Sequence, residues 1–330
     1  MPDDRLIALT GSSGFVGGHL RRALLDGGMQ VRSLVRRPAA GESEISVGDF
    51  QDRGLLSQAL AGVETVVHLA ARVHVMTETS PDAAAEYRDV NVTLTRSLLA
   101  AAGAAGVRHF VFASSVKVMG ETNEAPWTEE SPAAPADPYG ISKLEAERLI
   151  QREARRFGMR ATILRFPLVY GPGNRGNMLR LFRLVERGLP LPFGSVGNRR
   201  SLAYVGNVVA AFEAVLAAPL TGQEIFFVSD GEDLSTPELL RLIGRGLGRS
   251  VHLVSIPPAL LVSLAAAGDR ILGSRPAPRL APAVERLVRS LRVDSSKLTR
   301  LSGHRPPWTP SEGLAETGRW YLEQRRKALV

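Results

Sequence analysis

Through its first half the chain alternates short apolar runs with stretches of helical period. The runs at 6–10, 30–35, 44–47, 65–69, 108–113 and 160–165 have the length of buried strands. The intervening segments 15–26, 53–61, 83–105 and 140–157 place their apolar residues on one helical face. Strands and helices alternating in this way predict an α/β fold built on a doubly wound parallel sheet. The second half breaks the rhythm. Turns rich in proline and glycine at 171–176, 188–198 and 274–282 separate short elements. A helix is expected to begin at Ser235-Thr236-Pro237-Glu238, where a capping serine and a first-turn proline coincide.

Two patterns bring chemistry to this frame. The first predicted strand runs into Gly11-Ser12-Ser13-Gly14-Phe15-Val16-Gly17 and then a helical stretch. Glycines three residues apart at that junction permit a tight turn and a close approach to a pyrophosphate, whose charge the helix N-terminus stabilises. Further on, Tyr139 and Lys143 open a strongly helical segment four residues apart, so both lie on one face. A phenol titrates near ~10, and an ammonium beside it favours the phenolate, which suits a general acid/base. Only four of the 41 basic residues are lysines, which makes a point-charge lysine at this place conspicuous.

The Thr10-Gly11-x-x-Gly14-Phe15-x-Gly17 pattern and the Tyr139-x-x-x-Lys143 pair resemble the extended short-chain dehydrogenase/reductases. Within them, the chain is most similar to the NAD-dependent epimerase/dehydratase family that acts on nucleotide sugars. The likeness runs from residue 5 to about 320. It implies a Rossmann-type dinucleotide-binding domain over 1–170, re-entered near 200–230, and a smaller C-terminal substrate-binding lobe drawn mainly from 171–330. It also implies that Ser115 and Tyr139 hold one substrate oxygen while hydride passes to or from a nicotinamide, with Lys143 completing the catalytic set.

Cofactor contacts implied by the resemblance fall on Gly11, Ser13, Gly14, Phe15, Val16 and Gly17, on Arg36, and on Asp49 and Phe50. Others fall on the backbone of Leu69, Ala70 and Ala71, on Asn91, on Tyr139 and Lys143, and on Phe166 and Pro167. An acidic residue ending the second strand would bind a ribose hydroxyl, whereas Val35 stands there and Arg36 follows. That favours NADP over NAD.

On the substrate side the implied residues are Ser115, Met119, Leu168, Asn177 and Arg200, the last matching an arginine that grips a diphosphate. Met119 replaces the family's usual tyrosine and Leu168 its usual asparagine. Val116-Lys117 stands where the family's 4,6-dehydratases carry an Asp-Glu pair, which argues against water elimination. The aperiodic segment ETNEAPWTEESPAAPADP is expected to form a flap near the sugar. The expectation that results is a reductase of a UDP-linked 4-keto-6-deoxy-hexose in surface-polysaccharide biosynthesis. A UDP-hexose 4-epimerase that retains NAD is the alternative, and a non-enzymatic dinucleotide-sensing regulator is a reading of another class. A nucleotide sugar is the expected partner and a homodimer the expected assembly.

Composition removes other classes. With no cysteine there are no disulfides and no thiolate catalysis, and six histidines without ligand spacing give no expectation of a metal. A net charge of +8 would suit nucleic acid, but the arginines are dispersed and no recognised module accompanies them, so no nucleic-acid partner is expected. The apolar stretch PPALLVSLAAAG at 257–268 is too short to span a bilayer, and a lobe-packing helix is favoured there over an interfacial one. No signal peptide precedes the first strand, so a cytoplasmic protein is expected.

Overall fold

The structure, a computed structural model, describes residues 5–41, 43–73, 82–174, 176–272 and 280–328. Nine strands lie among them: β1 (Leu6–Thr10), β2 (Gln30–Val35), β3 (Glu44–Ser46), β4 (Thr65–His68), β5 (His109–Ser115), β6 (Arg160–Phe166), β7 (Leu168–Tyr170), β8 (Leu202–Tyr204) and β9 (Gln223–Phe227). Seven of these form one parallel sheet in the order β3-β2-β1-β4-β5-β6-β9. The order reverses between β1 and β4. In doubly wound sheets the crevice outside the C-terminal strand ends at that reversal is where ligands bind.

Helices cover both faces, which is why the strands read as continuous apolar runs rather than alternating ones. On one face, α2 (Arg53–Ala59), α4 (Leu94–Ala104) and α5 (Pro138–Phe157) pack Leu56, Leu98, Leu99 and Leu149 against Phe110 and Phe112. On the other, α1 (Phe15–Asp26), α7 (Val205–Ala217) and α11 (Ser296–Ser302) pack Leu20, Leu24, Phe212 and Leu298 against Leu9, Val111 and Phe226. The helix expected over 83–105 is interrupted. Between α3 (Ala83–Arg88) and α4 a π-helical turn spans Asp89–Thr93. Such widened turns concentrate at functional sites, and Asn91 lies in this one.

A separate core holds the second half. It gathers Phe182 from α6 (Asn177–Glu186), Leu240 and Ile243 from α8 (Thr236–Gly246), Leu261 from α9 (Pro258–Leu272), and Leu314 and Tyr321 from α12 (Pro310–Lys327). Against α9 packs α10 (Leu280–Val288). The expected capping signal before α8 is real: Ser235 accepts from the Glu238 amide, and Glu238 accepts from the Ser235 amide at 2.7 Å. The segment expected as a flap is tied down instead. Asn123 exchanges hydrogen bonds with the Arg292 backbone, Trp127 pairs with Val293, and Glu129 accepts from the Phe227 amide at 2.9 Å.

Candidate active site

Gly17 is buried in the first turn of α1 because a side chain there has no room: an added Cβ would lie 2.0 Å from the Gly11 carbonyl oxygen. Gly14 caps α1, with no side-chain cap and no acidic residue in the first turn. The first-turn amides therefore keep donors and partial positive charge for an anion. They border a cleft of about 540 Å³ lined by Ser13, Gly14, Phe15, His19 and Arg22 among others. This donor set fits the pyrophosphate of a dinucleotide. When bound, the dinucleotide supplies the hydride chemistry that no side chain of this protein can provide.

Thr10 links that loop to the next strand. Its hydroxyl accepts from the Leu69 and Ala70 amides at 3.2 and 3.1 Å, so its proton goes to His68 Nδ1 at 2.7 Å. His68 Nε2 then donates to Thr95 at 2.9 Å, and Thr95 donates to the Asn91 carbonyl. Burial pushes the His68 pKa down to about 3, which keeps the ring in this neutral form. The segment Leu69-Ala70-Ala71 is thereby held half-buried, with Leu69 and Ala70 against Gly11.

Ser115 ends β5 and Tyr139 begins α5. Asp137 starts that helix by accepting from the Gly140 amide at 2.6 Å, with Pro138 in the first turn. Gly140 lets α5 press on the turn after Ser115, where a Cβ would stand 2.5 Å from the Lys117 carbonyl oxygen. Ser115 and Tyr139 consequently meet in a hydrogen bond. Burial pushes the phenol up to about 12, against the pull of that bond. Lys143, only 2 % exposed, sits with Nζ 3.9 Å from the centre of the Phe112 ring. Burial brings its pKa down to about 7, and the Glu147 carboxylate partly offsets this. The expected lowering of the phenol pKa by the Lys143 ammonium is therefore not met. Burial is the largest influence on each group and disfavours the charged form of both.

Behind this set lies a network the motifs did not announce. Glu147 is bound through both carboxylate oxygens by Arg165, at 2.6 and 3.0 Å, and accepts from Ser114 at 2.5 Å. Arg165 also donates to Met119 Sδ at 3.1 Å. The helical spacing 139, 143, 147 was the available signal for Glu147. Asn91 belongs to the same supporting layer, since it is 1 % exposed and its amide is taken up by the Arg72 backbone and Ser142 Oγ. These bonds tie α5 and the segment after β4 to the π-helical turn.

Several expected contact residues are placed differently from their implied roles. Met119 is buried with Val116, Val118 and Phe227. Phe50, Phe166 and Pro167 are buried too. Arg200 points its guanidinium at the carbonyls of Arg286 and Arg289, at 2.7 and 3.1 Å. In this arrangement it is held against the C-terminal end of α10. Leu168 and Asn177 are half-buried; Ser13, Arg36 and Asp49 are exposed; Val16 is half-buried beside the glycine loop. Lys117, in the dehydratase position, pairs with Glu121 and with Asp137 at 3.2 Å. No cluster with metal-ligand character occurs among the described residues. Nor is any described helix long and apolar enough to cross a membrane.

The chain is similar to known proteins over nearly its whole length. The chain is 35% identical over 323 residues to a UDP-glucose 4-epimerase of Vibrio cholerae, covering 96% of this chain and 95% of the relative. It is 32% identical to the N-acetyl-alpha-D-glucosaminyl-diphospho-ditrans,octacis-undecaprenol 4-epimerase of Escherichia coli O157:H7, covering 94% and 93%. Among solved structures, MoeE5 in complex with UDP-glucuronic acid and NAD matches with a TM-score of 0.75 at 28% identity, over 98% of this chain and all of that one. A short-chain dehydrogenase/reductase superfamily protein from Agrobacterium tumefaciens with bound NAD matches with a TM-score of 0.75 at 26% identity, over 98% and 99%. The family model for the NAD dependent epimerase/dehydratase family matches residues 7–228, and the chain belongs to that family, as an enzyme of the extended short-chain dehydrogenase/reductase type.

Proposed function

We propose that this enzyme transfers hydride at C4 of a diphosphate-linked hexose, reducing a UDP-linked 4-keto-6-deoxy sugar with NADPH. Ser115 and Tyr139 carry the reading of C4 chemistry, because their hydroxyls lie within hydrogen-bond reach of each other, close enough for both to turn to one substrate oxygen. The choice of NADPH rests on the end of β2. Arg37 is occupied by Glu44 at 2.9 Å, while Arg36 is exposed just past the end of β2, and Val35 offers no carboxylate to a ribose diol. A consumed NADPH suits a reductase; an epimerase returns its hydride and keeps its NAD.

The relatives favour a second reading, 4-epimerisation with retained NAD, since both curated relatives named above are 4-epimerases. One experiment separates the two. Incubation with a 4-keto-6-deoxy UDP-hexose should deplete NADPH one for one, with negligible interconversion of UDP-glucose and UDP-galactose. Catalytic interconversion without cofactor loss would replace the reductase reading by the epimerase one. Turnover in neither assay would count against both.

Dinucleotide binding is assigned to 1–170 with a return at 200–230, supported by β9 at the sheet edge and α7 against α1. Substrate binding is assigned mainly to 171–330, which has a core of its own. A cytoplasmic homodimer belongs to the same reading, and Ile141, exposed on α5, offers an apolar contact.

A further inference from the structure

α9 buries one side and exposes an apolar stripe on the other. Leu261 and Ala265 face the protein, at 6 % and 8 % exposure. Leu260, Ser263, Leu264, Ala267 and Ile271 are exposed, with Leu260 at 49 %, Leu264 at 56 % and Ile271 at 85 %. Their spacing of three, four, seven and eleven residues puts them on a single helical face, roughly 16 Å long at the α-helical rise. Leu280, at the start of α10, is also exposed, and its amide is held by Asp269 at 2.7 Å. The one carboxylate of α9 is thereby engaged in joining the two helices. At the other end, Val254 and Leu189 are exposed on segments that pair through Leu191 and Leu253.

Basic groups accompany this surface. Arg270 is exposed on α9, and Arg187 and Arg249 are exposed at the end near Leu189. The Arg249 guanidinium reaches within 4.0 Å of the place a Gly188 Cβ would take. The whole chain carries +8. An apolar stripe accompanied by arginines matches a membrane interface, where acyl boundary and anionic headgroups lie side by side. Two copies meeting through this patch about a two-fold axis would bring like-charged arginines together, which disfavours self-association.

We propose that the α9–α10 face of the substrate lobe docks on an anionic phospholipid surface, with Leu260, Leu264 and Ile271 entering the headgroup boundary. The face lies outside the catalytic set, and the proposal holds whichever C4 reaction the enzyme performs. Each arginine close to an anionic surface strengthens partitioning about fivefold, so attachment depends on lipid charge and weakens with salt.

The test is co-sedimentation of the full chain with vesicles of phosphatidylcholine containing phosphatidylglycerol, against phosphatidylcholine alone. Binding to the anionic vesicles is expected to exceed binding to neutral ones by about tenfold or more and to fall with added salt. The double variant Leu264→Asp/Ile271→Asp should lose about tenfold of that binding. Its melting temperature and its NADPH affinity should match wild type, because both residues are exposed. Absence of binding to anionic vesicles overturns the proposal, as does equal binding by the double variant. A wild-type oligomer that the double variant dissociates, with no vesicle binding by either, assigns the face to a second copy and also overturns it.

Discussion

Glu147 stands one helical turn beyond Lys143, and its carboxylate is held by Arg165 through two hydrogen bonds of 2.6 and 3.0 Å. The pair is almost wholly buried, with side chains 2 % and 5 % exposed. Glu147 is also the charge that raises the Lys143 pKa against the effect of burial. The ion pair thus connects β6 to the catalytic face of α5. Removing one partner of such a pair leaves a buried charge uncompensated and costs on the order of 3–5 kcal/mol.

Glu147→Gln is therefore expected to destabilise the fold by about 3 kcal/mol in urea unfolding. It should also lower the Lys143 pKa further, read by lysine-selective NMR. Loss of stability with an unchanged Lys143 titration would limit Glu147 to a structural part.

Tyr139→Phe should keep dinucleotide affinity and lower turnover by about 10²–10⁴, the usual share of a positioned acid/base. Ser115→Ala should fall in the same direction, since it removes the hydroxyl bonded to that phenol. Near wild-type turnover in folded Tyr139→Phe would exclude the assignment.

Stability should respond to pH through Lys143. Its folded pKa is about 7, against an ordinary value of 10.5, so between these the unfolded chain binds a proton the folded chain does not. Stability from this group consequently rises with pH across that window and is lost as pH falls towards 7. Tyr139, pushed up to about 12, acts in the opposite sense only above its ordinary value of 10. Between pH 7 and 9.5 wild type should gain on Lys143→Met in urea midpoints. Parallel curves for the two proteins would contradict this.

Arg36→Asp should move cofactor preference from NADP(H) towards NAD(H), by removing a phosphate partner and adding an acceptor for the ribose diol. Titration of both cofactors against both proteins measures it. Identical preference would mean that Arg36 faces solvent in the complex as well.

Gly140→Ala places a methyl where only 2.5 Å separates it from the Lys117 carbonyl oxygen. Overpacking of this kind costs about 1–3 kcal/mol. The displacement falls on the contact between Ser115 and Tyr139, so turnover should drop by up to about 10²-fold. A crystal structure and kinetics of the variant together decide whether α5 has moved.

In the first half of the chain the order of strands and helices was legible without coordinates because it rests on local rules. Apolar runs such as Leu6–Thr10 and His109–Ser115, buried on both faces, have no other stable arrangement in an alternating chain. The glycine turn and the Tyr139–Lys143 spacing were legible for the same reason, since both act within a few residues. Ser235 and Glu238 likewise announced their helix. Contacts between distant segments were not so determined. Glu147 with Arg165, Asn91 with Arg72, and Arg200 with the end of α10 each depend on where the sheet and lobe bring separate stretches together. Met119 turned inward because Arg165 and an apolar cluster receive it there. Charge states of Tyr139 and Lys143 also belong to tertiary structure. Spacing places the two groups on one face, but burial, a property of everything packed around them, sets what each costs to ionise.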